Sequence, residues 1–335
     1  MSQSVANSIL ITGGAGYIGS HIVKALSEKN AAANIVVMDN LSTGFANCLP
    51  KAVKLVVADI LDQATLSAII QKEKISTVIH LAAKTVIPES IEKPQDYYLN
   101  NTVGTLNLLR ACIEHKVSHF IYSSTAAVYG MHPQDKISEQ SQTLPNNPYG
   151  HSKLMSEQML KDVANSSALK YVILRYFNVA GAAIDGSIGQ QTPKATHLIK
   201  VAAQTACGLL PALSIFGDDY PTPDGTCIRD FIHVSDLAQA HLDALRYLQE
   251  DGQSCTLNCG YGHGYSVKEV IKAVEEITNK PLPVNIASKR EGDLACVIAD
   301  NSQIKQVLKW KPEFDDISVI VKTALEWERR NISLK

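Results

Sequence analysis

Short runs of apolar and β-branched residues recur through the first half of the chain: "SILIT" (8–12), "NIVVMD" (34–39), "VKLVVAD" (53–59), "STVIHLAA" (76–83), "SHFIYSS" (118–124) and "KYVILRY" (170–176). These runs are apolar at nearly every position, not at alternate ones, which predicts strands buried on both faces. Between them, "IGSHIVKALSEK", "DQATLSAIIQKEK", "QDYYLNNTVGTLNLLRACIEH" and "YGHSKLMSEQMLKDVANS" carry apolar residues at helical spacing. Strands alternating with helices predict an α/β fold, a Rossmann-type doubly wound parallel sheet with helices on both faces. Asn40 to Lys54 is short for a crossover helix and predicts a loop.

After about Asn178 the rhythm breaks. Loop-rich stretches such as "GAAIDGSIGQQTP" and "FGDDYPTPDGT" separate helices expected near 195–208, 233–249, 266–278 and 317–330. The expectation is a doubly wound domain over residues 1–177. Residues 178–335 mainly form a smaller mixed α/β domain, with some segments returning to the first.

Composition narrows the partners. The 335 residues are 45% hydrophobic, enough for a large core, and 31 basic against 33 acidic side chains are well mixed along the chain. That balance marks no surface for nucleic acid or anionic membrane. No apolar run is long enough to span a bilayer and the first residues lack a secretory pattern, so a cytoplasmic location is expected. Seven cysteines, with Cys255 and Cys259 the close pair, complete no zinc pattern and are expected to be reduced thiols with no metal. Asn-x-Ser/Thr triplets at Asn100, Asn165 and Asn331 carry little meaning in such a chain.

Chemistry enters at "ITGGAGYIGSHIV", where Gly13, Gly16 and Gly19 follow the first strand and open the first helix. Glycines there allow a tight turn and let backbone N–H groups meet a pyrophosphate at the helix N-terminus. Asp39 closes the second strand, twenty residues after Gly19, where a carboxylate can accept both hydroxyls of an adenosine ribose and repel a 2′-phosphate. NAD is therefore favoured over NADP. Asp59 ends the third strand, either near the adenine or as a turn or helix cap.

In "NPYGHSK" Tyr149 and Lys153 stand one helical turn apart at a helix start. A free tyrosine titrates near ~10, too high for a base at neutral pH, but a neighbouring ammonium favours the phenolate. Tyr149 is then a candidate base for a substrate hydroxyl, with hydride leaving the same carbon. Thr125, at the end of the fifth strand, can hold the substrate oxygen. Given a tyrosine base, His151 and His233 are assigned to packing or helix-end hydrogen bonds.

These residues resemble the extended short-chain dehydrogenase/reductases, and within them the UDP-galactose 4-epimerases. "TGGAGYIGSH", "HLAA", "NNTVGT", "SSTAAVYG", "NPYGHSKLMSE", "LRYFNVAGA", "FGDDYPTPDGTCIRDFIHVSDLAQAH" and "REGD" carry the resemblance over nearly the whole chain. It implies a tightly held NAD that oxidises carbon 4 of a UDP-hexose, then reduces the 4-keto sugar from its other face, in a homodimer built by helices of the first domain. It implies NAD contacts at Tyr17, Ile18, Asp39, Asn40, Asp59 and Ile60, at Leu81, Ala82 and Ala83, and at Asn100, Lys153 and Phe177. Thr125 and Tyr149 would be catalytic. The UDP-sugar would meet Asn178, His197, Leu198, Ser214 and Phe216, then Arg229, Arg290 and Asp293. Arginine forks suit the diphosphate; otherwise Arg229 and Arg290 would read as surface partners of Asp230 and Glu291.

Two departures from the family pattern stand out. "HLAAKTV" puts Lys84 one place early and leaves Thr85 where a lysine usually stands. Val297 occupies the place of a residue that limits the pocket behind the sugar, and its small size predicts room for a 2-acetamido group. Alternatives are a related dehydratase or decarboxylase, or a non-catalytic NAD(H) sensor. Ala126 and Ala127 stand where a dehydratase carries an Asp-Glu pair, and retention of Thr125, Tyr149, Lys153 and both arginines favours an enzyme over a sensor.

Overall fold

The computed structural model describes residues 8–29, 33–132, 136–192, 196–290 and 292–333. The chain divides into two compact units. The first comprises Met1–Gly130, Gln142–Arg175 and Ala238–Leu257; the second comprises Met131–Ser141, Tyr176–Leu237 and Asn258–Lys335.

The first unit is organised by a seven-stranded sheet. Its strands are β1 (Ser8–Thr12), β2 (Asn34–Asp39), β3 (Lys54–Val57), β4 (Thr77–His80), β5 (His119–Thr125), β6 (Lys170–Tyr176) and β7 (Cys255–Cys259). They lie in the order β7-β6-β5-β4-β1-β2-β3, with β1 through β5 in parallel pairings, as the continuous apolar runs require. The order reverses at β1 and β4, so chain leaving these neighbours in opposite directions opens a crevice at their carboxyl ends. Helices α1 (Tyr17–Lys29), α2 (Gln63–Lys72), α3 (Gly104–Glu114) and α4 (Pro148–Asn165) supply the main crossovers. One core cluster joins Leu10, Val36, Val78 and Phe120 of the sheet to Leu66, Leu108 and Leu160 of the helices.

Two local features differ from the expected pattern. The fourth strand stops at His80, because Leu81–Ala83 leaves the sheet after the Leu81 N–H donates to the Thr12 carbonyl. The long helix expected around "YYLNNTVGT" is interrupted: a turn at Pro94–Tyr97 and a π-helical turn at Tyr98–Val103 precede α3. As expected, the Asn40–Lys54 segment is a loop, with a single 3₁₀ turn at Ala46–Cys48.

The second unit carries short sheets. Four strands run in the order Tyr265–Ser266, Ile228–Arg229, Cys296–Ala299, Lys136–Ile137, and two pairs join Phe231–His233 to Asn178–Ala180 and Val284–Ala287 to Leu213–Phe216. Its helices include Leu198–Ala206, Val267–Thr278, Ser302–Leu308 and Ile317–Ser333, while the helix Val234–Gln249 begins here and continues into the first unit. None of the seven cysteines is in a disulfide, and no metal-binding cluster occurs among the described residues. No helix among them is long and apolar enough to cross a membrane.

His80, at the end of β4, is buried with both ring nitrogens engaged, Nδ1 at 2.6 Å from Thr12 Oγ1 and Nε2 at 2.9 Å from Thr105 Oγ1. Burial, reinforced by the charge of Lys153, pushes this imidazole down to about 3. The folded state therefore binds fewer protons than the unfolded chain between about pH 3 and the usual histidine value. Stability is full above that value and falls on acidification, by roughly 1.4 kcal/mol per pH unit from this group. Urea unfolding of the protein and of His80→Gln should show their stability difference shrinking from pH 7 toward pH 4, and a pH-independent difference would contradict the buried neutral imidazole.

Candidate active site

The turn after β1 is shaped by glycines at two positions. Gly13 has φ +72°, and a side chain there would come within 2.6 Å of the Ala82 backbone nitrogen. At Gly19 a Cβ would stand 2.2 Å from the Gly13 carbonyl oxygen. Only hydrogen at both positions lets α1 point its first N–H groups into the space above the turn. This is a cradle shaped for a pyrophosphate, and the residues fit a dinucleotide.

Asp39 is buried at the end of β2, its Oδ2 accepting from the Ala15 N–H at 3.0 Å and its Oδ1 from the Leu41 N–H at 2.8 Å. Each oxygen keeps a lone pair for a ribose hydroxyl, and the charge is fixed against the glycine turn. Asp59 accepts from the Leu61 N–H at 2.9 Å and from the Asn40 side-chain amide at 2.9 Å, so it closes a turn and links two expected cofactor contacts.

At the carboxyl end of β5, Thr125 accepts from the Ala127 N–H at 3.1 Å and lies near enough to Tyr149 for its hydroxyl to act on the phenol. Asn147 caps α4, its Oδ1 accepting from the Gly150 N–H at 2.9 Å, and Pro148 fills the first turn. Gly150 brings this helix start close: a Cβ there would lie 2.6 Å from the Ala127 carbonyl oxygen. The Tyr149 ring is half-buried, edge-on to Tyr97 with centroids 6.4 Å apart. Burial pushes its phenol up, and the nearby Thr125 hydroxyl pulls it back.

Lys153 lies one turn deeper and is 3% exposed, its ammonium 4.5 Å from the centre of the Tyr122 ring. Burial pushes Lys153 down to about 7, opposed by the charge of Glu157. The lysine is thus held in an apolar and aromatic environment that favours its neutral form, with Glu157 opposing.

Asn101 was not a candidate from the sequence. It occupies the π-helical turn and is buried. Its Oδ1 accepts from the Lys84 N–H at 2.8 Å, while its Nδ2 donates to the Lys84 carbonyl at 3.0 Å and to Ser152 Oγ at 3.0 Å. One amide therefore fixes the segment after β4 to the helix that carries Tyr149 and Lys153. Two adjacent asparagines inside an apolar helical pattern were the available signal, since asparagine is a poor helix former. Lys84 itself points its ammonium to Asp96 at 3.9 Å, in an exposed pair.

In the second unit a chain of contacts gathers most of the proposed UDP-sugar residues. Arg290 stacks 3.7 Å over the Phe216 ring, and Ser214 shares that strand. Arg229 donates to Asp293 at 2.6 Å and is the register partner of Val297 in a parallel pair. Asp230 turns away from the arginines: its buried carboxylate accepts from the N–H groups of Tyr261, Gly262 and Ala299. Glu291 lies outside the described residues. His197, at the cap of Leu198–Ala206, is within 3.0 Å of the Gln190 amide, and burial pushes its imidazole down. Asn178 donates its N–H to the Asp230 carbonyl at 3.0 Å, and Phe177 is buried beside it. His233 is spent on structure, its Nδ1 accepting from the Ser235 N–H and its Nε2 facing Thr323 Oγ1 at 3.2 Å.

Comparison with known proteins identifies the family. Residues 9–260 match the model of the NAD dependent epimerase/dehydratase family. A UDP-glucose 4-epimerase of Azospirillum brasilense is 50% identical over 321 residues, covering 96% of this chain and 92% of that protein. The crystal structure of UDP-glucose 4-epimerase from Brucella ovis in complex with NAD is 42% identical, with a TM-score of 0.92 over 96% of this chain and 98% of that one. The UDP-Glc/GlcNAc 4-epimerase of Campylobacter jejuni is 47% identical, with a TM-score of 0.85 over 97% of this chain and 99% of that one. With a family match over most of its length and such relatives end to end, this chain belongs to the NAD dependent epimerase/dehydratase family.

Proposed function

We propose that the protein interconverts UDP-glucose and UDP-galactose at carbon 4, using NAD held on the first unit. The observation that carries this reading is Tyr149 beside Thr125 at the strand end, with Lys153 buried one turn along the same helix. NAD, when bound, supplies the hydride acceptor for carbon 4 and the source for its return. Tyr149 accepts the proton of the 4-hydroxyl as the 4-keto sugar forms and gives it back on reduction. Thr125 donates to the oxygen that changes charge and keeps it over the phenol. The Lys153 ammonium favours the phenolate that burial alone disfavours.

Arg229 and Arg290 are assigned to the diphosphate, Asp293 to holding Arg229 in place before the substrate arrives, and Ser214, Phe216, His197, Leu198 and Asn178 to the nucleoside and sugar. No carboxylate follows Thr125, where Ala126 and Ala127 stand, which disfavours elimination of water.

Val297 lies beside Arg229 in the sheet, and a side chain of this size leaves space that a tyrosine would fill. The protein is therefore assigned to both the plain and the 2-acetamido pairs, a breadth also named for the Campylobacter jejuni relative. A homodimer is supported by an exposed apolar stripe on the first unit: Leu99, Val103, Leu106 and Ile113 recur at spacings of four, three and seven, with exposed Met155 on α4.

The purified protein, given UDP-galactose and no added NAD, should form UDP-glucose, while Tyr149→Phe should still hold NAD and lose about 10²- to 10⁴-fold in kcat. No turnover, or a fully active phenylalanine variant, would refute the assignment. Val297→Tyr should cut kcat/KM for the acetamido pair by about tenfold or more, as overfilling a packed site does, and spare the plain pair. Equal effects on both pairs would remove Val297 from the specificity role. Sedimentation should give a dimer that Leu106→Lys converts to monomer; a monomeric parent would rule out the stripe as an interface.

A further inference from the structure

Tyr149, Lys153, Glu157 and Lys161 form a line along α4, each one turn from the next. Glu157 is a member with no assigned role, and it is fully buried. Its Oε1 accepts from Ser124 Oγ at 2.5 Å and from Arg175 Nε at 2.9 Å, and its Oε2 accepts from Arg175 Nη2 at 2.5 Å. Arg175, on β6, also donates to the Tyr129 hydroxyl at 3.0 Å and stacks 4.9 Å from that ring. Ser124 precedes Thr125 on β5. One carboxylate thus ties the catalytic helix to the strand end that carries Thr125 and to the strand beyond it.

A buried ion pair is a poor way to gain stability, because desolvating both charges offsets most of their attraction. Packing would be served as well by apolar residues of the same volume. The placement makes sense if the charge itself is used, and besides its ion-pair partners Arg175 and Lys161, Lys153 stands one turn away on the same helix.

We propose that Glu157 is a positioning residue of the active site, which fixes α4 against the ends of β5 and β6 and keeps Lys153 in its ammonium form. The inference rests on the reading of Tyr149 as the base. The groups around Lys153 support it. Tyr149 and Glu157 face it from its own helix, His80 from β4 and Tyr122 from β5. Tyr97 packs on Tyr149, and Arg175, Lys161 and Tyr171 surround Glu157. Of these groups Glu157 alone is a carboxylate. Burial pushes Lys153 down to about 7 even with that carboxylate opposing it. Neutralising Glu157 while Arg175 stays charged would release the lysine proton at lower pH still, and with it the support for the Tyr149 phenolate.

The test is Glu157→Gln in protein carrying [¹³Cε]lysine, with Lys153→Met identifying the resonance. The Lys153 midpoint should fall by about one pH unit or more. The alkaline limb of the kcat profile with UDP-galactose should move down equally, while KM changes less than about twofold. Glu157→Asp, which keeps the charge, should restore most of the midpoint. If the glutamine variant does not fold, Glu157→Gln with Arg175→Met removes both buried charges, and the Lys153 midpoint should still fall, by less because the loss of the arginine charge works the other way. A Lys153 midpoint and alkaline limb that stay in place in a folded variant would overturn the proposal, as would an aspartate variant that behaves like glutamine. An inactive parent, or an active Tyr149→Phe, would instead strike the assigned reaction, and the lysine midpoint would still decide the role of Glu157.

Discussion

An ammonium ion has to stay charged inside a protein core. Lys153 is buried under Tyr149, against the face of Tyr122, where desolvation favours the neutral amine. Much of the first unit can be understood as the answer to that demand. Glu157 supplies the opposing charge, Arg175 and Ser124 hold Glu157, and the neutral His80 adds no competing cation. Burial has a use as well as a cost: in a medium of low polarity the lysine acts more strongly on the phenol than it would in water.

Backbone close approach is the second constraint. Gly13 rests on the chain after β4, Gly19 on the Gly13 carbonyl, and Gly150 on the turn after β5. These contacts bring the segments that follow β1, β4 and β5 together at one end of the sheet, where the strand order reverses. Asn101 completes the junction by bonding the chain after β4 and helix α4 with one amide. The π-helical turn lets it do so, since a widened turn re-aims a side chain without ending the helix.

Strands β1 to β6 were legible because each is a nearly continuous apolar run, and each glycine of the first turn has a local reason; β7, the short CTLNC with Thr256 and Asn258, left no such run and was not expected. The Tyr149–Lys153 pair was legible because helical geometry makes residues four apart neighbours. Glu157 was not, since a glutamate in an amphipathic helix reads as a solvated charge until Arg175, eighteen positions on and in another element, is placed beside it. The Arg229–Asp293 pair, 64 residues apart, has the same character. Strand Lys136–Ile137 is too short to leave a pattern, and the π-helical turn is a shift in backbone hydrogen bonding that side-chain periodicity does not encode.

The central claim is that Tyr149 removes a hydroxyl proton while hydride leaves the same carbon and later returns to it. Turnover of UDP-galactose deuterated at carbon 4, followed by NMR of the product, tests this most directly. The account predicts UDP-glucose that keeps its deuterium at carbon 4, formed more slowly than from the unlabelled sugar. Loss of deuterium to water would show that carbon 4 exchanges a proton with solvent, and would contradict it.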